Sequence, residues 1–186
     1  MSEQKMETEP FLQIEDLAVE YYSDGKVISA VNGVSLRLEK GKTLGLVGET
    51  GAGKTTIAKS ILRILPDVGA KITGGEVKLE GKDLFKLSEV EMRKIRGNNI
   101  SMIFQDPMTA LNPVQTVGDQ IAEVVRLHSK GEKHDFVKRA EEMLEMVGIP
   151  AERYHEYPHQ FSGGMKQRVV IAIALACNPD LLLADE

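Results

Sequence analysis

The sequence has little of what would mark a secreted, membrane-spanning or nucleic-acid-binding protein. It contains one cysteine, Cys177, among 186 residues, so an internal disulfide is excluded and a reducing compartment is favoured. No run approaches the roughly 20 apolar residues that cross a bilayer. The net charge is −5, which gives no electrostatic argument for a nucleic-acid partner. Residues 1–10 are polar and acidic, unlike a signal peptide, so we expect a soluble intracellular protein.

A glycine-rich loop is the most informative stretch that is present, and it fits the phosphate-binding pattern G-x-x-x-x-G-K-[ST]. It consists of Gly48, Glu49, Thr50, Gly51, Ala52, Gly53, Lys54 and Thr55. The apolar run 43–47 before it predicts a buried strand, and residues 56–65 predict a helix. Glycines let backbone N–H groups approach phosphate oxygens, and the helix N-terminus adds partial positive charge. We therefore expect Lys54 to reach the β- and γ-phosphates and Thr55 to bind Mg²⁺, with Thr56 completing the nucleotide contacts.

The rest of the chain predicts an α/β core interrupted by helices. β-Type patterns occupy 11–21, 34–39, 76–81 and 100–104, residues 66–75 are predicted as a loop, and a capping box at 88–91 predicts a short helix. Helical patterns follow at 116–128, 134–147 and 162–177. The apolar run 181–184 predicts a fully buried strand with two acidic residues at its end.

A second glycine-containing segment, residues 161–168, has the sequence Phe-Ser-Gly-Gly-Met-Lys-Gln-Arg. Ser162 is placed to cap a helix whose first residues are Gly163 and Gly164, which predicts a second anion-binding site. The segment resembles the signature motif of ABC transporter ATPases, in the form found in oligopeptide, dipeptide and nickel importers. The resemblance covers residues 12–186, with the motifs in the family's order.

The resemblance implies roles for residues in the core motifs. Residues 48–55 match the Walker A loop, in which Lys54 takes part in catalysis, and residues 181–185 match the Walker B strand. Asp185 would hold Mg²⁺, usually through water. Glu186 matches the catalytic glutamate that polarises the attacking water.

Two further positions match the family less specifically. Gln105 matches the glutamine loop, where its amide would contact Mg²⁺ or the attacking water; standing alone it would be an ordinary polar loop residue. Tyr21 aligns with the aromatic residue that stacks on adenine, and Tyr22 is a close second. Either tyrosine could equally be a strand residue that packs on the core.

The fold implied by the resemblance is α/β: a P-loop NTPase core with an antiparallel β subdomain and a helical insert, C-terminally truncated just after the Walker B motif. The core would comprise 1–104 and 165–186, and the helical subdomain with the signature motif 105–164. A switch histidine of the family would lie beyond residue 186, so we expect the chain alone to bind nucleotide poorly and to hydrolyse it weakly.

The function implied is that of the ATP-binding and ATP-hydrolysing subunit of an importer for peptides or nickel. ATP and Mg²⁺ would be the ligands, and the partners a second ABC ATPase subunit and membrane-embedded permeases, with no nucleic acid. The protein would lie peripherally on the cytoplasmic face of the inner membrane. Two alternatives stay open: a soluble ABC ATPase acting on DNA or ribosomes, and a module that binds nucleotide without hydrolysing it.

The segment 155–159 also fits H-E-x-x-H, a zinc metalloprotease motif. That chemistry requires both histidines on one continuous helix face, and Pro158 is placed where it would break such a helix. The zinc interpretation is therefore disfavoured.

Overall fold

The computed structural model describes residues 9–23 and 25–185. The chain separates into two compact units, of which the first ends at Met92 and the second begins at Arg93. No helix among the described residues has the length and hydrophobicity to cross a bilayer.

The first unit is built on an antiparallel sheet with the strand order β2-β1-β3-β4. Its strands are β1 (Leu12–Ser23), β2 (Lys26–Leu38), β3 (Ala70–Leu79) and β4 (Lys82–Asp83), and helix α1 (Lys54–Leu62) lies between β2 and β3 in sequence. A short helix, α2 (Glu89–Ile95), spans the junction of the two units in sequence. Since β3 begins at Ala70, the prediction of a loop throughout 66–75 is wrong.

The central strand β1 shows how the apolar pattern places the core. Leu12, Ile14, Leu17 and Val19 are all buried, although Leu17 lies three positions after Ile14 where simple alternation requires two. The pairing register shifts between Ile14 and Leu17, and Asp16 has a positive φ of 48°. This β-bulge returns the apolar side chains to the same face of the sheet.

The capping box predicted before α2 is present. The Ser88 amide and hydroxyl both donate to Glu91 Oε2, at 2.9 and 2.8 Å, and the Glu91 amide donates to Ser88 Oγ at 3.3 Å. These reciprocal bonds satisfy amides that the helix itself leaves unpaired, which is why a helix begins here.

The second unit combines a parallel strand pair with packed helices. Its elements are β5 (Ile100–Ile103), α3 (Pro107–Ala110), α4 (Val117–His128), α5 (Lys133–Met146), α6 (Gly163–Leu175) and β6 (Leu181–Ala184), with 3-10 helices at Ala151–His155 and Pro158–Gln160. β5 and β6 pair in parallel, from Ile100 opposite Leu181 to Ile103 opposite Ala184. The helical core contains Val117, Ile121, Ala140, Met143, Leu144, Ile149, Tyr154, Phe161, Val169 and Ala172.

Two predicted buried strands differ from the structure. Residues 42–49 belong to no strand of the described chain, and Leu44, Leu46 and Val47 are 48%, 42% and 97% exposed. β6 forms, but only Leu181 within it is buried. A strand requires a neighbour for its N–H and C=O groups and a layer that covers its side chains. Apolar composition supplies neither, so both predictions of a fully buried strand are wrong here.

Candidate functional site

The glycine-rich loop of the first unit turns sharply into helix α1. Residues 50–51 form a turn, residues 52–53 bend, and the helix begins at Lys54. Gly53 has a φ of 86°, and a Cβ there would lie 2.4 Å from the carbonyl oxygen of Ala30 on β2. Both the backbone conformation and the lack of space therefore require glycine at this position.

The Lys54 side chain folds back over this loop. Its Nζ donates to the carbonyl oxygens of Gly48 and Glu49, at 2.7 and 2.8 Å. The first helical bond runs from the Ile57 amide to the Gly53 carbonyl at 2.9 Å, so the amides of residues 54–56 precede the hydrogen-bond ladder of α1. An ammonium group and the positive end of a helix thus lie at one loop, an arrangement that favours an anion.

Of the two tyrosine candidates, Tyr21 lies beside the first turn of α1. Its hydroxyl is 3.4 Å from Thr56 Oγ1, and Thr56 is itself buried. Tyr22 is 44% exposed and donates to Glu20 Oε2 at 2.5 Å; this hydrogen bond raises the pKa of the Tyr22 phenol. The adenine-stacking role stays a prediction for either residue.

In the second unit, the β5–β6 pair brings Gln105 and Asp185 to one edge. Asp185 directly follows β6, and its amide donates to the Ile103 carbonyl at 3.0 Å. Gln105 lies in the exposed loop two residues after β5. Because the strands are parallel, both residues lie just beyond the carboxyl ends of the pair, where ligands commonly bind in α/β sheets. Glu186 lies outside the described residues.

The signature segment forms the start of α6, as the sequence predicts. The Met165 amide donates to Ser162 Oγ at 3.4 Å, and the Lys166 amide donates to the Ser162 carbonyl at 2.9 Å. Within the described chain, a Cβ added at Gly163 or Gly164 would meet no atom within 4 Å. The backbone of this helix start is therefore accessible to a ligand from outside the unit.

Arg153 contacts this helix start, although no motif or pattern in the sequence pointed to it. Its guanidinium lies 4.3 Å from the centre of the Phe161 ring, and Nη1 donates to Met165 Sδ at 3.4 Å. Arg153 lies in the 3-10 helix Ala151–His155 and Met165 lies in α6, with a second 3-10 helix between them. No single helical or strand period relates residues on different elements, so sequence analysis had no signal for these contacts.

The H-E-x-x-H histidines lie on different elements. His155 ends one 3-10 helix, residues 156–157 are extended, and His159 belongs to the next 3-10 helix, which Pro158 begins. The predicted helix break at Pro158 is confirmed.

The comparisons with known proteins agree with these motifs. The family model described as "ABC transporter" matches residues 31–186. The chain is 51% identical over 177 residues to a probable peptide ABC transporter ATP-binding protein, y4tR, of Sinorhizobium fredii, covering 94% of this chain and 53% of the relative. It is 52% identical over 180 residues to the dipeptide transport ATP-binding protein DppD of Bacillus subtilis, covering 96% of this chain and 54% of the relative. The chain thus spans about half the length of the curated relatives it matches.

Solved structures give the same result for the fold. The dimeric ATP-binding cassette MJ0796, in a post-hydrolysis state bound to ADP and Pi, matches with a TM-score of 0.84 and 30% identity. That match covers 94% of this chain and 73% of the cassette. The predicted α/β fold class and the predicted resemblance are both confirmed. On its motifs, its fold and its match to the family model, the chain belongs to the ABC transporter family.

Proposed function

We propose that this chain binds and hydrolyses ATP as a subunit of an importer, with peptides as the transported substrates. The observation that carries the proposal is the glycine loop. It leads into the start of α1, and the Lys54 ammonium folds back to donate hydrogen bonds to two of its carbonyl groups. The names of the relatives support the choice of peptides, since they include peptide, dipeptide and oligopeptide transport proteins.

The phosphate-binding role of Lys54 requires its ammonium group to replace its present hydrogen-bond acceptors with phosphate oxygens. In the described structure the ammonium bonds two neutral carbonyl oxygens. These bonds are charge-assisted on the donor side only, whereas the β- and γ-phosphate oxygens of ATP are anionic, so direct attraction between opposite charges adds to the hydrogen bond. Lys54 therefore exchanges the carbonyls for phosphate when nucleotide binds, while the loop amides and those of Thr55 and Thr56 surround the phosphates.

For Mg²⁺ and water, the donor chemistry of the chain is suitable. Mg²⁺ prefers oxygen ligands and keeps several waters. The Thr55 hydroxyl, the Asp185 carboxylate and the Gln105 amide oxygen are ligands of this type. Bound Mg²⁺ would neutralise charge on the phosphates, and Glu186 would accept a proton from the water that attacks the γ-phosphorus, giving ADP and phosphate.

The signature segment requires a second subunit in this proposal. Ser162, Gly163 and Gly164 of one subunit contact the γ-phosphate of ATP held by Lys54 of the other, so ATP completes the dimer interface. ATP binding closes the dimer, and hydrolysis with loss of phosphate opens it again. The bound nucleotide thus decides which of two states, closed or open, the dimer adopts. The dimeric state of the MJ0796 cassette supports this arrangement. Permease partners would hold the subunit at the cytoplasmic face of the membrane.

We expect Glu186→Gln to trap an ATP-bound dimer and nearly to abolish hydrolysis. The amide retains the size of the carboxylate but cannot accept a proton, so binding survives and the chemical step does not. Size-exclusion chromatography with ATP and a phosphate-release assay on the full gene product measure the two effects. The matched control is Glu145→Gln, which changes an exposed acid on α5 and should leave both unchanged. Rapid turnover by Glu186→Gln would remove Glu186 from the role of base.

A further inference from the structure

One side chain of the 3-10 helix Ala151–His155, that of Arg153, contacts the start of α6. Nε and Nη2 donate to Glu156 Oε2 at 2.9 and 2.6 Å, and Nη2 also donates to the Gln160 carbonyl at 3.3 Å. With the contacts to Phe161 and Met165, the guanidinium bonds residues on both sides of Ser162. The Arg153 guanidinium thus contacts the chain just before Ser162, at Gln160 and Phe161, and just after it, at Met165.

Two of the residues that Arg153 contacts, Phe161 and Glu156, are themselves anchored to the helical unit. Phe161 is buried, and its amide donates to the Pro158 carbonyl at 3.1 Å. The Glu156 carbonyl accepts from the Val117 amide at 2.9 Å, at the beginning of α4. Arg153 therefore connects the signature segment to the core of the helical unit.

The guanidinium group is suited to this set of partners, whereas an ammonium is not. Its plane stacks on an aromatic ring while its fork donates in several directions at once. A lysine could pair with Glu156 but could not also stack on Phe161 and reach the Gln160 carbonyl. The hydrogen bond from Arg153 lowers the pKa of the Glu156 carboxyl, so both groups are ionised at neutral pH.

We propose that Arg153 is a positioning residue that holds the Ser162–Gly163–Gly164 backbone in the orientation required to receive a γ-phosphate. This proposal rests on the proposed function, because it concerns the ATP held by a partner subunit. It assigns Arg153 no contact with the nucleotide. The action passes through Phe161, Gln160 and Met165 to the first turn of α6.

The chain contains a matched control at the opposite end of the same helix. Arg139 donates from Nε to the Ala176 carbonyl at 3.0 Å and from Nη2 to Asn178 Oδ1 at 2.8 Å, and it pairs with Glu142. Its side chain is 25% exposed, against 27% for Arg153. Loss of either guanidinium removes several hydrogen bonds to the segment at one end of α6, but only Arg153 lies at the signature end.

The experiment compares Arg153→Lys with Arg139→Lys in the full gene product. In Arg153→Lys we expect amide exchange over residues 161–166 to accelerate about fivefold or more, with residues 175–178 unchanged. Arg139→Lys should show the reverse. Steady-state phosphate release at saturating ATP should fall about tenfold or more in Arg153→Lys and stay within about twofold in Arg139→Lys, because small misplacement of a binding group is costly. Binding of ATP to the glycine loop should remain within about twofold in both.

Several outcomes would overturn the proposal. Unchanged exchange over 161–166 in Arg153→Lys would show that the contacts do not fix the segment, whether or not the protein hydrolyses ATP. Faster exchange with unaltered phosphate release would show that the fixed position is not needed. Equal losses of activity in both variants would assign Arg153 to general stability alone. By contrast, a wild-type protein without ATP binding would contradict the proposed function, and the exchange measurement would still decide the positioning role.

Discussion

Replacing Lys54 by alanine is expected to weaken ATP binding by at least about tenfold and to reduce hydrolysis further. Hydrogen bonds to charged groups contribute about 1.5–3 kcal/mol each, and about 1.4 kcal/mol corresponds to tenfold in an equilibrium constant. Alanine removes the ammonium group that lies over the glycine loop. Titration of the full gene product with ATP and Mg²⁺ by calorimetry, followed by a phosphate-release assay, measures both effects.

A folding defect must be separated from this loss of affinity. The two bonds from Lys54 go to carbonyl groups in an exposed loop, so their removal should cost only about 1 kcal/mol of stability. Lys59→Ala is the matched control, since Lys59 lies in the last turn of the same helix, α1. It should retain ATP binding within about twofold. Unchanged affinity and turnover in Lys54→Ala would exclude the phosphate-binding role of the loop.

The features that the sequence predicts correctly are local ones. The turn into α1, the serine cap of α6 and the capping box before α2 each depend on residues within a few positions of one another. Glycines with positive φ, cap side chains and apolar periods act over that range. This is why the two candidate anion-binding helix starts could be located without any structure.

The features that the sequence does not predict depend on distant partners. Residues 43–47 have the composition of a buried strand, yet none of the described strands pairs with them. β6 pairs on one side with β5 and stays largely exposed. Apolar character marks a segment that can be buried, but the neighbours that bury it are set by the tertiary fold.

Arg153 shows the same limit for the candidate site. Its partners Phe161 and Met165 are brought to it by two successive 3-10 helices, whose path no period in the sequence reveals. An arginine in a charged stretch is ordinarily a solvated surface residue. Only the three-dimensional structure distinguishes this one.

A second large effect is expected in the helical unit, where Gly118→Ala should lower the free energy of unfolding by about 2 kcal/mol. A Cβ at residue 118 would lie 2.1 Å from the ring of Tyr154, which is buried. The ring cannot move away without breaking the bond from its hydroxyl to Asp119 Oδ1, 3.0 Å long. Overpacking costs about 1–3 kcal/mol and the lost bond about 1 kcal/mol, whereas the higher helix propensity of alanine returns only about 1 kcal/mol.

A double-mutant cycle tests whether the tyrosine ring is the cause. Urea denaturation followed by circular dichroism would give the cost of Gly118→Ala in the wild type and in a Tyr154→Leu background. Leucine is smaller and lacks the hydroxyl, so in that background alanine should cost less than about 0.5 kcal/mol or should stabilise α4 through its propensity. An equal cost in both backgrounds would place the obstacle elsewhere. A neutral effect of Gly118→Ala in the wild type would mean that α4 and the 3-10 helix Ala151–His155 can separate without loss, contrary to the close packing of Gly118 on Tyr154.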